Sequence, residues 1–205
     1  MTIKVGDTIP SMKLMMATAD GPKEVSTDDV FKGKKVVLFA VPGAFTPTCS
    51  SSHLPGFLAK IDAFKARGVD EIALTSVNDA FVLDAWAKSS GAEGKISFLA
   101  DGSGEFAKAL GLSLDLTERG LGVRSQRYAM LVEDGVVRNL NVEPVPSNAE
   151  VSSADALLAQ IYKSAVVRRF SCAPAPSRAV ILGTPPYPDG RVRPRARSWD
   201  RQRDP

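Results

Sequence analysis

Residues 36–50 read Val-Val-Leu-Phe-Ala-Val-Pro-Gly-Ala-Phe-Thr-Pro-Thr-Cys-Ser. The first six side chains are apolar and several are β-branched, which is typical of a strand buried on both faces of a sheet. Pro42 and Gly43 then favour a turn, and a helical pattern begins shortly after Cys49. The stretch therefore predicts a central strand whose carboxyl end leads through a loop into a helix, with Cys49 in the first turn of that helix.

Strand and helix patterns alternate along the rest of the chain. Apolar residues at spacings of three, one, three and three positions predict a helix over 53–67, ended by Gly68. An Asp134-Gly135 pair predicts a tight turn between strands 128–133 and 136–142. The other predicted elements are strands 72–77 and 96–100 and helices 80–89, 105–110 and 153–167. This order predicts a three-layer α/β domain around a mixed sheet.

The composition excludes several classes of protein. The chain has 205 residues, 44% of them hydrophobic and 24% charged, which is typical of a globular domain. Two cysteines, at positions 49 and 172, do not make a disulfide-knotted scaffold, and a single histidine argues against a histidine-based metal site. The longest apolar run, 36–41, is too short to span a bilayer. We therefore expect a cytoplasmic protein with no metal, no cofactor and no membrane association.

The composition changes near residue 166. Residues 166–205 contain nine Arg, no Lys, three Asp and seven of the fourteen Pro, whereas residues 1–165 contain twelve Lys and five Arg. We therefore predict a folded domain over 1–165 and a disordered Arg/Pro-rich extension over 166–205. Arginines near Trp199 would bind nucleic-acid phosphates, but a solvated tail of foreign coding sequence explains the composition more simply, so no nucleic-acid partner is expected.

Cys49 is the candidate reactive group. A cysteine in the first turn of a helix meets N–H groups without intrahelical acceptors and the positive end of the helix dipole. Both stabilise the thiolate, which is the nucleophilic form of cysteine. Most free cysteines are instead small buried hydrophobic residues. Position alone leaves these two interpretations open.

The sequence around Cys49 resembles the active-site segment of the peroxiredoxins. Residues 42–50 read Pro-Gly-Ala-Phe-Thr-Pro-Thr-Cys-Ser, and residues 53–57 read His-Leu-Pro-Gly-Phe; both resemble the type II, or peroxiredoxin-5, subfamily. Further similar segments are 68–72, 76–82, 85–86, 100–106, 120–128 and 152–155. The resemblance implies a thioredoxin-like three-layer fold, a homodimer, and thiol-dependent reduction of hydrogen peroxide and alkyl hydroperoxides.

The resemblance also implies catalytic roles for four side chains. Cys49 would attack the peroxide as a thiolate and become a sulfenic acid. Thr46 would hydrogen-bond the sulfur and the peroxide, and the backbone N–H groups of Thr48 and Cys49 would add donors. Arg127 would stabilise the thiolate and orient the peroxide. Pro42 would shield the sulfur from water and the sulfenate from over-oxidation.

Other residues are candidates for binding substrate or supporting the site. Thr48, Phe45 and His53 are candidate substrate-binding residues. A structural histidine that holds the loop is favoured over an acyl-transfer pair with the cysteine, because no Gly-rich nucleophile motif is present. Phe45 and Phe81 would shape the pocket or a dimer face, or else pack in the core. Arg124 would support the site or the interface, or else be a solvated surface residue.

Residues 101–107 match the dinucleotide pattern Gly-x-Gly-x-x-Ala only weakly. The pattern occurs once, it follows a late strand, and Asp101 would repel a pyrophosphate. We therefore expect Asp101 or Ser103 to cap the following helix instead.

The distribution of cysteines predicts how a sulfenic acid would be reduced. Some type II enzymes carry a second cysteine in segments that correspond to 72–76 or 142–153, and this chain has none there. The domain is therefore predicted to be a one-cysteine peroxidase whose Cys49 is reduced by an outside thiol. The resemblance implies glutathione with glutaredoxin as that reductant, with thioredoxin as the second choice. Cys172 is the alternative resolving cysteine, although nothing in the sequence holds it near Cys49. The competing hypothesis is a non-enzymatic redox sensor or binding module.

Overall fold

The computed structural model describes residues 1–18 and 20–161. The predicted 165/166 domain boundary, the extension 166–205 and Cys172 lie outside these residues. The strands are β1 (Lys13–Thr18), β2 (Gly21–Ser26), β3 (Lys35–Val41), β4 (Glu71–Ser76), β5 (Ser97–Ala100), β6 (Ser113–Leu116), β7 (Gly122–Ser125), β8 (Tyr128–Glu133) and β9 (Val136–Val142). The helices are α1 (Thr27–Phe31), α2 (Leu54–Ala59), α3 (Ile61–Lys65), α4 (Ala80–Ser89), α5 (Glu105–Ala109) and α6 (154–161). A π-helical turn spans Cys49–His53 and a 3₁₀ turn spans Thr117–Arg119.

Seven strands form one mixed sheet in the order β2-β1-β5-β4-β3-β8-β9. Strands β3, β4 and β5 run parallel, whereas β8 lies antiparallel to β3 on its other side. β6 and β7 form a separate hairpin. The predicted mixed sheet is therefore confirmed, with β3 near its centre.

The two faces of β3 pack into two different cores, which gives the predicted three layers. Val37, Phe39 and Val41 join a core with residues of α2, α3, α4 and α6. Val36, Leu38 and Ala40 join a second core with residues of α1 and α5. Because both faces are covered, β3 needs apolar side chains at every position after Lys35.

The long helix predicted over 53–67 is interrupted. It consists of the end of the π-helical turn, then α2 and α3, and the backbone at Lys60 (φ −112°, ψ 9°) is not helical. Leu54, Phe57 and Phe64 are all fully buried. The apolar spacing therefore predicted correctly which side chains are buried, but it carries no information on whether the helix is continuous.

The weak dinucleotide pattern is a helix cap. The Asp101 carboxylate accepts hydrogen bonds from the backbone N–H groups of Phe106 (3.0 Å) and Ala107 (2.8 Å). Gly104 occupies the left-handed region (φ 73°) just before α5. Burial of the Asp101 carboxyl raises its pKa, against the lowering effect of these two hydrogen bonds. The N–H groups that would bind a phosphate are thus already occupied, as the capping prediction requires.

Within 1–18 and 20–161, no helix is long and apolar enough to cross a membrane. In the same residues, no group of three or more His, Cys, Asp or Glu side chains is arranged to hold a metal ion.

Candidate active site

The candidate site lies where three strand ends meet. β3 ends at Val41, β8 begins at Tyr128 opposite Ala40, and β9 ends at Val142 opposite Tyr128. The loop after β3 carries Cys49, and Arg127 directly precedes β8. β8 is antiparallel to the strands on both of its sides. This pairing brings Arg127 into contact with Cys49, although the two residues lie 78 positions apart in sequence.

The loop that carries Cys49 is held by its neighbours and contains a strained residue. The Asn78 side-chain oxygen accepts hydrogen bonds from the Ala44 N–H (3.0 Å) and from the Ser76 hydroxyl (2.8 Å). Phe45 adopts a positive φ of 61°, which is uncommon for a residue with a side chain. The Ser50 N–H donates to the Thr46 carbonyl (3.0 Å). The loop thus turns sharply and places Cys49 in the first turn of a helical segment.

The Thr46 hydroxyl contacts the Cys49 sulfur directly. The distance from Thr46 Oγ1 to Cys49 Sγ is 2.8 Å, and the same oxygen lies 3.0 Å from the Gly43 carbonyl oxygen. A hydroxyl has one proton to donate, so these two acceptors compete for it. A thiolate attracts the proton more strongly than a neutral carbonyl because charge strengthens a hydrogen bond. The hydroxyl can therefore follow the charge state of the sulfur.

Arg127 is a buried cation whose partners are mostly neutral. Its side chain is 2% exposed, and Nη2 lies 3.3 Å from the fully buried Cys49 Sγ. Nε donates to the Pro146 carbonyl (3.1 Å) and Nη1 donates to His53 Nδ1 (3.1 Å). In the described part of the chain, no carboxylate forms an ion pair with this guanidinium. An uncompensated buried charge is costly, so the arrangement favours the Cys49 thiolate as the counterion.

The contacts of His53 fix its tautomer. A guanidinium has only donors, so Nδ1 must accept from Arg127 and carries no proton. Nε2 therefore carries the proton and donates to the Ser152 carbonyl (3.0 Å). Burial is the main cause that lowers the pKa of His53 to about 4, and the Arg127 charge lowers it further. The ring is thus a neutral spacer between the Ser152 carbonyl and the Arg127 guanidinium.

We expect the buried neutral His53 to make stability depend on pH. Its pKa is about 4 in the folded chain and 6.5 in its ordinary state, so between these values the unfolded chain binds more protons. The contribution of the neutral His53 to the free energy of unfolding is therefore complete above pH 6.5. It is lost as the pH falls to 4, a change of about 3 kcal/mol. Urea unfolding of the wild type and His53→Gln at several pH values measures it.

His53→Gln serves as the control, because the other titrating groups affect the stability of the wild type and of this variant alike. The stability of His53→Gln should fall less between pH 6.5 and 4 than that of the wild type. His53 is the chain's single histidine, so its NMR ring signals give an independent titration. A titration midpoint near pH 6.5 would contradict the assignment of a neutral buried ring.

The remaining candidates lie around the site without contacting the sulfur through hydrogen bonds. Pro42 is buried at the end of β3. The Thr48 hydroxyl donates to the Ser147 carbonyl (2.8 Å) and is therefore turned away from Cys49. Arg124 donates to the Val77 carbonyl (3.0 Å), and its Nη1 lies within 3.4 Å of the position a side chain at Gly43 would take. Arg124 thus packs against the cysteine loop.

Phe45 and Phe81 do not pack in the core, so that alternative is wrong. Phe45 is 55% exposed and Phe81 is 73% exposed. The Phe45 ring lies 6.3 Å from that of Trp86, whose indole N–H donates to the Ser50 hydroxyl (3.1 Å). Both phenylalanines are surface groups, Phe45 on the cysteine loop and Phe81 in the first turn of α4.

Sequence reasoning missed Glu143, Ser152 and the carbonyl of Pro146. Glu143 is buried and accepts hydrogen bonds from the Ser152 hydroxyl and N–H, and Ser152 in turn contacts His53. Ser152 belongs to one of the segments that resembled the peroxiredoxins, so that segment held a usable signal. Glu143 gives no such signal, because a glutamate beside a polar loop normally indicates solvent exposure.

Comparison with known proteins places the chain in a family. A sequence model of the Redoxin family matches residues 4–158. Peroxiredoxin-2C of Oryza sativa subsp. japonica is 52% identical over 142 residues, covering 69% of this chain and 88% of that protein. Peroxiredoxin-2B of Arabidopsis thaliana is 49% identical over 159 residues, covering 76% of this chain and 96% of that protein.

Solved structures agree with this placement. Reduced Prx3 of Vibrio vulnificus in complex with H₂O₂ is 51% identical, with a TM-score of 0.74, over 78% of this chain and 99% of that one. Peroxiredoxin 5 of Alvinella pompejana is 40% identical, with a TM-score of 0.70, over the same shares of the two chains. Because relatives this similar are peroxiredoxins over nearly their whole length, the chain belongs to the Redoxin family as a type II peroxiredoxin, a peroxidase with a thioredoxin-like fold.

Proposed function

We propose that this peroxiredoxin reduces hydrogen peroxide and alkyl hydroperoxides through Cys49 in a one-cysteine cycle. An outside thiol then regenerates the enzyme, with glutathione and glutaredoxin as the first candidate and thioredoxin as the second. The observation that carries the proposal is the buried Arg127 guanidinium, 3.3 Å from Cys49 Sγ and without a carboxylate partner among the described residues. Such a cation favours a negative sulfur, which is the nucleophile the reaction needs.

The geometry supports a simple displacement at oxygen. The Cys49 thiolate forms a bond to one peroxide oxygen and the O–O bond breaks, so the sulfur loses two electrons and becomes a sulfenic acid. The other oxygen leaves with the electron pair of that bond and is released as water or an alcohol after it takes a proton. Arg127 and Thr46 already point donors at the sulfur, so both can follow the charge as it moves to the oxygens.

Two observations support a one-cysteine cycle. Segments 72–76 and 142–153 contain no cysteine, and Cys49 is the single cysteine among the described residues. Two outside thiols complete the cycle: the first forms a mixed disulfide with Cys49, and the second releases the Cys49 thiol.

We expect one equivalent of hydrogen peroxide to add one oxygen atom to Cys49 in the first seconds. Intact-mass and peptide analysis of rapidly quenched protein measures this. The matched control is Cys172→Ser, which should give the same product and the same steady-state rate with glutathione and glutaredoxin. Loss of two hydrogens with a Cys49–Cys172 peptide would contradict the one-cysteine cycle. If thioredoxin supports steady-state peroxide reduction and glutathione with glutaredoxin does not, thioredoxin becomes the proposed reductant.

We also propose a homodimer in which the exposed phenylalanines Phe45 and Phe81 are covered. Phe45 and Phe81 are large exposed aromatic side chains, and aromatic side chains are enriched in protein interfaces. Phe81→Glu is expected to shift the protein from dimer to monomer in sedimentation velocity, because a carboxylate in the interface is not solvated. Val5→Glu, at a 58% exposed apolar residue elsewhere, is the control. A Phe81→Glu protein that stays dimeric would contradict this interface.

The proposed compartment is the cytoplasm. A cycle that leaves sulfenic acid for outside thiols needs a reducing compartment, and the cytosol keeps thiols reduced. Relatives of this chain include proteins named as chloroplastic and mitochondrial. Fractionation of cells that produce the protein with its native sequence tests the proposal.

A further inference from the structure

Glu143 is a buried carboxylate that the displacement does not use. It directly follows β9, and its side chain is 6% exposed. Its Oε1 accepts three hydrogen bonds, from the N–H of Glu150 (2.6 Å) and from the N–H (2.8 Å) and hydroxyl (2.9 Å) of Ser152. The Glu143 N–H donates to the Arg127 carbonyl (2.9 Å). One oxygen thus ties both ends of residues 143–153, which we term the clamp loop.

The clamp loop supplies three carbonyl oxygens to the site. Pro146 accepts from Arg127 Nε (3.1 Å), Ser152 accepts from His53 Nε2 (3.0 Å), and Ser147 accepts from the Thr48 hydroxyl (2.8 Å). Backbone carbonyls point where the loop conformation sends them, so their positions depend on what fixes the loop. The Glu143 carboxylate accepts three hydrogen bonds from within the clamp loop, so it is one of the groups that fix the loop conformation.

We propose that Glu143 is a positioning residue for Arg127, a role that rests on the proposed peroxidase chemistry of Cys49. Two of the three partners of the guanidinium depend on the clamp loop: the Pro146 carbonyl directly, and His53 through the Ser152 carbonyl. The third partner is Cys49 Sγ. A guanidinium is planar, so fixing Nε and Nη1 also fixes the direction of Nη2 toward the sulfur.

Glu143 acts on Arg127 only through intervening groups, and this indirect link has a specific advantage. A carboxylate in direct contact with Arg127 would compensate its charge and remove the reason for the sulfur to be ionised. No ion pair between Glu143 and Arg127 forms in the described structure. Glu143 instead acts through neutral groups, namely the loop carbonyls and the His53 ring. The guanidinium is therefore held in place while its charge stays available to the thiolate.

A double-mutant cycle separates positioning from general stability. We expect Glu143→Ala to lower the second-order rate constant of Cys49 oxidation by about tenfold to a hundredfold. Glu143→Gln keeps one acceptor oxygen and should lose only about threefold to tenfold. In an Arg127→Met background, Glu143→Ala should change the rate less than about twofold, because the group it positions is gone. Glu93→Ala, at an exposed carboxylate after α4, is the control.

Each outcome of the cycle bears on the proposal. Equal losses from Glu143→Ala with and without Arg127 would show a merely structural role and overturn it, as would an unchanged rate in Glu143→Ala. If Glu143→Ala does not fold, Glu143→Gln replaces it in the same cycle, because that change removes the carboxylate charge but keeps one acceptor oxygen for the loop donors and keeps every loop carbonyl. A wild type that does not oxidise at Cys49 would instead contradict the proposed function.

Discussion

Cys49→Ser is expected to lower the rate constant for peroxide reduction by at least about a thousandfold. A serine hydroxyl is not ionised near neutral pH, and its oxygen does not take up a second oxygen from a peroxide. The hydrogen-bond donors of Thr46 and Arg127 remain, but they have no nucleophile to assist. Peroxide consumption with excess glutathione and glutaredoxin, measured for the wild type and the variant, checks this result.

The substitution is also expected to preserve the fold. Serine is close to cysteine in size, and Thr46 Oγ1 and Arg127 Nη2 both lie where they can hydrogen-bond its hydroxyl. The buried Arg127 charge loses its anionic partner, so thermal unfolding of Cys49→Ser should move to a lower temperature than that of the wild type. A cooperative unfolding transition would still show that the variant is folded, which separates lost chemistry from lost structure. Unchanged peroxide consumption in a folded Cys49→Ser protein would show that Cys49 is not the nucleophile, and would favour the redox-sensor or binding-module hypothesis.

Local sequence patterns predicted the centre of the fold well. The apolar run of β3 is visible because both of its faces are buried, and Asp134-Gly135 is visible because both residues need a positive φ, observed at 50° and 75°. The hairpins β1–β2 and β6–β7 were not predicted. Their side chains are mostly exposed or half-buried, so they show neither an apolar run nor a clear alternation.

The site was predictable only where its parts are local or resemble a family. Thr46 and Cys49 lie three positions apart, so a tight turn alone brings them together. Arg127 is distant in sequence, and only the resemblance connected it with Cys49 before the strand pairing was known.

The position of Glu143 opposite Arg127 depends on the register of β8 and β9, which the sequence does not reveal. A regular hairpin across Asp134-Gly135 would pair Arg127 with residue 142, but the β8–β9 register shifts by one residue at Leu131/Val132. This bulge pairs Tyr128 with Val142 and brings Glu143 opposite Arg127. A shift by one residue exchanges the two faces of a strand, so the bulge decides which side chain reaches the site.

Arg127→Met is expected to lower the rate constant of Cys49 oxidation by about a hundredfold to a thousandfold. Methionine fills much of the same volume but has neither charge nor donors. The thiolate loses its single charged neighbour among the described contacts, and the peroxide loses a donor. Arg127→Lys is the matched control: it keeps a charge but lacks the planar fork that reaches three partners, so its rate should fall between those of the wild type and Arg127→Met. Rapid-quench mass analysis of Cys49 measures all three rates.

Arg127→Met should also show that Arg127 contributes more to activity than to the stability of the fold. Replacing a buried charge with an apolar side chain removes a desolvation cost, whereas the Pro146 carbonyl and His53 Nδ1 lose a donor. These effects oppose each other, so the free energy of unfolding should change by less than about 2 kcal/mol while activity collapses. Loss of the Arg127 charge should also raise the pKa of His53, which the single histidine signal reports. Large destabilisation with an unchanged oxidation rate in the folded fraction would contradict this assignment, because Arg127 would then support the core and not the thiolate.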